Sequence, residues 1–271
     1  MKQLRIISWN VNGIRAVYKK GNWNWLIKQS PDIFCLQETK AMPEQLPPDL
    51  VKPVGYESYF DFPKERKGYS GVAIYTKVKP NKVEYIMGKP TLDKEGRLLA
   101  LYFDDFVLIN VYFPNGGGGP VRLKYKLEFY KEFLKFIDGL KKKKHNIVFC
   151  GDINTAHTEI DLARPKENVI HTGFLPIERA WLDEVIAHGY VDTWRNLNPG
   201  VKNTYTYWDQ KTFARERNVG WRIDYFFVNK EFLNHIADFK VHESVLGSDH
   251  CPIELVLKDI AVEPVSNGHL I

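Results

Sequence analysis

Short apolar runs rich in β-branched and aromatic residues constrain this chain more than any other feature. They recur as Leu4–Trp9, Ile33–Leu36, Gly71–Thr76, Leu98–Phe103, Val107–Phe113, Ile147–Cys150, Ile223–Val228 and Ile253–Leu257. Their length and their Val, Ile, Phe and Tyr content predict strands. Some follow one another directly and others are separated by helical patterns. That mixture predicts an α/β sandwich, two packed mixed sheets flanked by helices.

Three helices stand out between the runs. Around Asn22–Lys28, Trp and Leu cluster before Ser30-Pro31 ends the element. In Arg122–Leu140, apolar residues return at helical spacing. In Pro176–His188, Pro176 suits the first turn and Gly189 the stop. Residues 1–257 read as a single domain, because no repeat or Ser/Pro-rich linker divides them; the tail 258–271 is expected to fray. Lys141–Lys144 closes the second helix, where cations complement the helix dipole, and reads as a solvated helix end.

No apolar run approaches the ~18 residues a membrane helix requires, so a membrane-spanning protein is excluded. The start, Met1 to Arg5, has no signal-like apolar core, so a chain retained in the cell is expected. Cys35, Cys150 and Cys251 form no CxxC pair and read as buried, reduced thiols. The formal net charge of +5 is too mild to name a partner by itself.

Chemistry gathers at the ends of the runs. Asn10 follows Ile6–Trp9, Glu38 follows Phe34–Gln37, Asp152 follows Ile147–Gly151, and Asp249-His250 precedes Pro252–Leu257. Strand ends on one edge of a sandwich converge in space. A convergence of Asn, Glu, Asp and His without Cys suits a hard divalent cation and not structural zinc. Singly, each of these is more often a turn residue or a structural histidine. On periodicity alone, a metal-dependent hydrolase is one reading among several.

The motifs are more specific. In order they are Ser8-Trp9-Asn10-Val11-Asn12-Gly13, Leu36-Gln37-Glu38-Thr39-Lys40, Gly68-Tyr69-Ser70-Gly71-Val72 and Tyr112-Phe113-Pro114-Asn115-Gly116. Then come Gly151-Asp152-Ile153-Asn154-Thr155-Ala156-His157, Val219-Gly220-Trp221-Arg222-Ile223-Asp224-Tyr225-Phe226 and Gly247-Ser248-Asp249-His250-Cys251-Pro252-Ile253. This set, spread over residues 4–257, resembles the exonuclease III family of apurinic/apyrimidinic endonucleases. The resemblance implies a four-layered α/β sandwich of the DNase I-like (endonuclease-exonuclease-phosphatase) kind. It also implies Mg²⁺-dependent cutting on the 5′ side of abasic sites in double-stranded DNA, with Mn²⁺ able to substitute. Secondary 3′→5′ exonuclease and 3′-phosphodiesterase activities go with it. A monomer is expected, working in the cytoplasm on nucleoid DNA if the source is prokaryotic and in the nucleus if it is eukaryotic.

By the same resemblance, Glu38 is the principal metal ligand, with Asn10 and Asp249 close by. Asp152 orients or deprotonates the attacking water with the help of Asn154. His250 faces the scissile phosphate, Asp224 orients it, and Tyr112 contacts phosphate. Tyr207, Trp221 and Ile223 form a cup for a bare deoxyribose, while Tyr69, Asn115 and Asn168 touch DNA. Phosphodiester hydrolysis needs a Lewis acid, a positioned water and fixed donors, which is the set of parts implied. The tract Lys202–Arg222 interleaves Tyr205, Tyr207, Trp208 and Trp221 with Lys211, Arg215, Arg217 and Arg222. Such interleaving predicts a surface that tracks the DNA backbone.

Asn12 replaces an Asp common in the family, which removes a charge near the metal. Gly118, His171 and Lys211 also depart from some relatives, and Tyr207 replaces Phe. Nicking of uracil-containing or damaged-base DNA stays open as a broader activity. Another phosphoesterase on the same scaffold and an inactive DNA-binding relative are the more distant alternatives.

Overall fold

The computed structural model describes residues 3–265. Twelve strands form two six-stranded sheets. In chain order they are β1 (Leu4–Asn10), β2 (Ile33–Gln37), β3 (Glu57–Asp61), β4 (Val72–Thr76), β5 (Lys82–Glu84), β6 (Leu98–Tyr102), β7 (Val107–Tyr112), β8 (Ile147–Asp152), β9 (Tyr190–Asp192), β10 (Asp224–Asn229), β11 (Ile236–Val241) and β12 (Ile253–Leu257). One sheet runs β11-β12-β1-β2-β4-β3 and the other β5-β6-β7-β8-β10-β9. Within the two sheets, β1–β2 and β7–β8 pair in parallel and the other neighbours antiparallel.

The eight sequence runs are the eight inner strands. Their continuous apolarity follows from burial on both faces. Successive residues alternate between two cores: Ile6, Cys35, Ile74, Leu108 and Val148 point between the sheets. Ile7, Phe34 and Tyr75 point outward beneath the helices Ile14–Lys19 and Trp23–Gln29. Ile109, Phe149 and Phe227 point outward beneath the helices Pro120–Lys142 and Pro176–Ala187. Helix, sheet, sheet, helix is the four-layered order expected. Among the described residues no helix is long and apolar enough to cross a membrane.

The C-terminal expectation changes. Beyond β12 the chain stays packed: Lys79 N–H donates to Glu263 O (2.9 Å), Val265 N–H to Lys77 O (2.8 Å), and Ile260 joins the inter-sheet core. Fraying from Lys258 is therefore not seen through Val265, because backbone hydrogen bonds tie the segment down. The remainder of the expected tail, 266–271, lies outside the described residues. Lys141 is not simply solvated either; its Nζ donates to His188 O at 2.6 Å and lies over the Tyr190 ring.

Candidate active site

Strand register builds the site. Parallel pairing places Tyr112 of β7 opposite Asp152 of β8, and antiparallel pairing places Asp224 of β10 opposite the same Asp152. In the other sheet, Asn10 ends β1 opposite Gln37, the residue before Glu38. An isolated bridge between Tyr207 and His250 brings in the turn before β12. Glu38 itself has φ of 51°, a left-handed conformation rare outside glycine. That turn swings its carboxylate off the end of β2, and Gly13 N–H fixes it by donating to Glu38 O at 2.7 Å.

Ligand atoms of Glu38, Asp152 and His250 lie within 4.8 Å of one another, a cluster that could hold a metal ion. Asn10 Nδ2 donates to Glu38 Oε1 and to Asp152 Oδ2, both at 2.9 Å. Asn154 donates to Asp152 from its backbone N–H (2.8 Å) and from Nδ2 (3.2 Å), and Asn115 Nδ2 donates to Asn154 Oδ1 (3.0 Å). Behind the cluster, His250 Nδ1 sits 2.8 Å from Asp224 Oδ2, while Nε2 faces Asp152 Oδ2 at 3.8 Å.

The electrostatics follow from this crowding. Burial, with the neighbouring Asp224 and Glu38 carboxylates, pushes the Asp152 carboxyl up to about 7 despite the opposing pull of His250. Burial works to lower the His250 pKa, but Asp224 and Asp152 more than offset it and raise it to about 10. Burial also works to raise Glu38, yet Lys40 (2.8 Å away) and Asn10 bring it below its ordinary value. Burial and the Glu38 carboxylate keep the Tyr112 phenol protonated. The result is an oxygen-rich cluster flanked by a charged imidazole and a neutral phenol.

Beside the cluster opens a cavity of about 400 Å³. Tyr207, Trp221 and Ile223 supply its apolar wall, and Asn115, Thr172, Gly173 and Asp209 also line it. The last three were not singled out in the sequence. Gly173 left a faint signal as a loop glycine; its φ is +94°, and a Cβ there would stand 3.3 Å from the Trp221 ring.

Several expected site residues also make contacts within the chain. Asn10 bridges the carboxylates with its amide N–H groups, while its Oδ1 accepts from Asn12 N–H at 3.0 Å. Asp249 lines the cavity but stands outside the three-residue cluster, its Oδ1 accepting from Asn12 Nδ2 (3.0 Å) and Ser248 Oγ (3.1 Å). Asn12 also accepts from Lys40, so its neutral amide links a cation to a carboxylate. Tyr69 lies outside the cavity, accepting from Arg97 and Arg122. Asn168 folds back onto Arg164 O (2.9 Å) and Ala163 O (3.3 Å).

The basic and aromatic tract is the largest correction. Arg222 is 1% exposed. It donates to Asp161 (2.8 Å) and Asp192 (2.7 Å) in the interior. Alternation explains it: in an extended segment Trp221 and Ile223 face the cavity, so the residue between them faces inward. Arg215 is half-buried over the Trp208 ring and donates to the carbonyls of Glu243 (2.6 Å), Val245 (2.7 Å) and Ser248 (3.4 Å). Tyr205 and Trp208 are buried. Of the tract's five cations, Lys202, Lys211 and Arg217 remain exposed.

Comparison with known proteins agrees with this geometry. A family model described as the Endonuclease/Exonuclease/phosphatase family matches residues 7–250. The chain is similar to the DNA repair nuclease APEX1 of Danio rerio, 42% identical over 94% of this chain and 82% of that protein. It is also similar to an exodeoxyribonuclease of Bacillus subtilis, 40% identical over 94% of this chain and 99% of that protein. Among solved structures, an AP endonuclease from Archaeoglobus fulgidus matches with a TM-score of 0.84 at 28% identity, covering 94% of this chain and 99% of that one. A 3′ phosphatase from Neisseria, solved bound to a product DNA hairpin, matches with a TM-score of 0.84 at 26% identity, over 93% and 98% of the two chains.

Proposed function

Since the chain belongs to the endonuclease/exonuclease/phosphatase family, in the exonuclease III branch that contains the apurinic/apyrimidinic endonucleases, we propose that it cuts DNA on the 5′ side of abasic sites. It is a DNA repair nuclease hydrolysing phosphodiester bonds, with exonuclease activity alongside. The observation that carries the proposal is the juxtaposition of the Glu38–Asp152–His250 cluster with an aromatic-walled cavity of about 400 Å³.

The donor set fits a hard divalent cation, Mg²⁺ by preference: two carboxylates close together, one buried enough to have its pKa raised to about 7, call for a compensating charge. Glu38, with Asp152 beside it, would hold the ion. When bound, such an ion supplies Lewis-acid stabilisation of charge on phosphate oxygens. The chain's own residues do the rest. Asp152, fixed by Asn10 and Asn154, is placed to orient a water and take its proton, and a carboxyl lifted toward neutral pH is a stronger base. His250, held by Asp224 and positively charged, stabilises the developing negative charge of the phosphate. Tyr112 offers a neutral O–H donor to the same phosphate.

The cavity supports lesion selection. Extruding a sugar that has no base to unstack is cheap, and the Tyr207–Trp221–Ile223 wall suits a bare deoxyribose. The test is a duplex carrying one abasic analogue, incubated with Mg²⁺ or with chelator. Nicking 5′ to the lesion that requires the metal is expected; no metal-dependent nick there would refute the proposal.

A further inference from the structure

A second hollow, of about 600 Å³, adjoins the catalytic cavity and shares the residues Asp209 and Asp249 with it. Its mouth is formed by two side chains that burial alone would not leave outside: Phe213, 69% exposed, and Leu246, 60% exposed. Phe213 also adopts a left-handed backbone conformation, φ 51° and ψ 38°, between two short 3₁₀ turns. A bulky residue in that region is a strained outlier. Local folding therefore disfavours this phenylalanine twice, by conformation and by exposure.

The two residues are nevertheless held in place. Asp209 accepts from Lys211 N–H (3.0 Å), and Ala214 N–H donates to Asp209 O (3.1 Å), which closes the turn carrying Phe213. The Arg215 guanidinium then staples this turn to the loop carrying Leu246, through the carbonyls of Glu243, Val245 and Ser248. Exposed apolar side chains lining one hollow offer a stacking platform. Lys20 stands at the same hollow, suited to a phosphate.

We infer that Phe213 and Leu246 form a subsite for one unstacked nucleobase of the DNA strand being cut, a neighbour of the lesion. The inference rests on the DNA-cleaving reading above. A nucleobase is the planar, apolar-faced part of that substrate, and stacking on an aromatic ring accepts any base. Continuity with the catalytic cavity places such a base beside the nucleotide undergoing cleavage.

Phe213→Asn is the informative variant, because Asn tolerates the left-handed conformation and removes the ring. Its melting temperature should equal or exceed that of the wild type; a clear fall would overturn the inference by making the ring a packing element. Cleavage is measured on three duplexes: one with a single tetrahydrofuran residue, and two with the adjacent nucleobase on the 5′ or the 3′ side also removed. Phe213→Asn should raise KM about tenfold on the first. The penalty should vanish on one of the other two. A penalty equal on all three, or absent from the first, would overturn the subsite. So would a solution dimer that Phe213→Asn dissolves, which would give the hollow to a second copy. Failure of the wild-type protein to nick any of the three would instead sink the proposed function.

Discussion

His250 Nδ1 and Asp224 Oδ2 lie 2.8 Å apart with both side chains buried, although 26 residues separate them in the chain. The contact fixes which imidazole nitrogen faces Asp152 and keeps the ring charged. Asp224→Asn should therefore lower kcat by at least about 10²-fold while DNA affinity changes little. Gel-shift and single-turnover measurements separate the two; equal losses in binding and rate would remove the orienting role.

Metal binding can be read without any substrate. Added Mg²⁺ or Mn²⁺ should raise the melting temperature of the wild-type protein, since a ligand bound only by the folded state stabilises it. Glu38→Gln should abolish most of that shift. A full shift in the variant would move the ion elsewhere.

Trp221 touches the cavity from a segment whose next residue, Arg222, is anchored by Asp161 and Asp192. The anchor keeps the segment in place when the indole is removed. Trp221→Ala is expected to narrow the ratio of cleavage at abasic and intact DNA by about tenfold or more, with a modest loss of stability. An unchanged ratio would take the indole out of lesion selection.

Arg215 spends its guanidinium on three carbonyls. Arg215→Ala should lower stability by about 1–3 kcal/mol through unpaired carbonyls and lost packing. The slope of log affinity against log salt should stay the same. A fall of roughly one unit in that slope would identify a phosphate contact instead.

Acid should unfold the protein partly through Glu254. Burial works to raise this carboxyl, but its bonds from His242 (2.8 Å) and Arg5 (2.6 Å) bring it down to about 2. A depressed carboxyl contributes stability above its unfolded pKa of about 4.3, and that contribution is lost as pH falls through the folded value. The window is thus pH about 4 down to 2. Glu254→Gln should flatten the pH dependence of the urea midpoint there; an unaltered slope would refute the assignment.

The eight inner strands were legible in the sequence, and the four missed strands, β3, β5, β9 and β11, are the four sheet edges. An inner strand buries both faces and so writes an uninterrupted apolar run. An edge strand such as Glu57–Asp61 or Ile236–Val241 is half exposed and carries charges that discourage further pairing, so its composition matches a loop. The same contrast governs the site. Asp152 and His250 announced themselves beside apolar runs, whereas Thr172, Gly173 and Asp209 lie in irregular loops with no periodic signal.

Sequence alone determined the eight inner strands and which chemical groups stand at their ends, because burial pattern and motif order are local properties of the chain. Tertiary structure decided what each group is free to do. Lys211 and Arg217 read the same as Arg215 and Arg222 in a list of residues, yet the first two meet solvent while the others are consumed by carbonyls and carboxylates. Charge and hydrogen-bonding capacity belong to a residue, but whether they remain available depends on neighbours that only the fold brings within 3 Å.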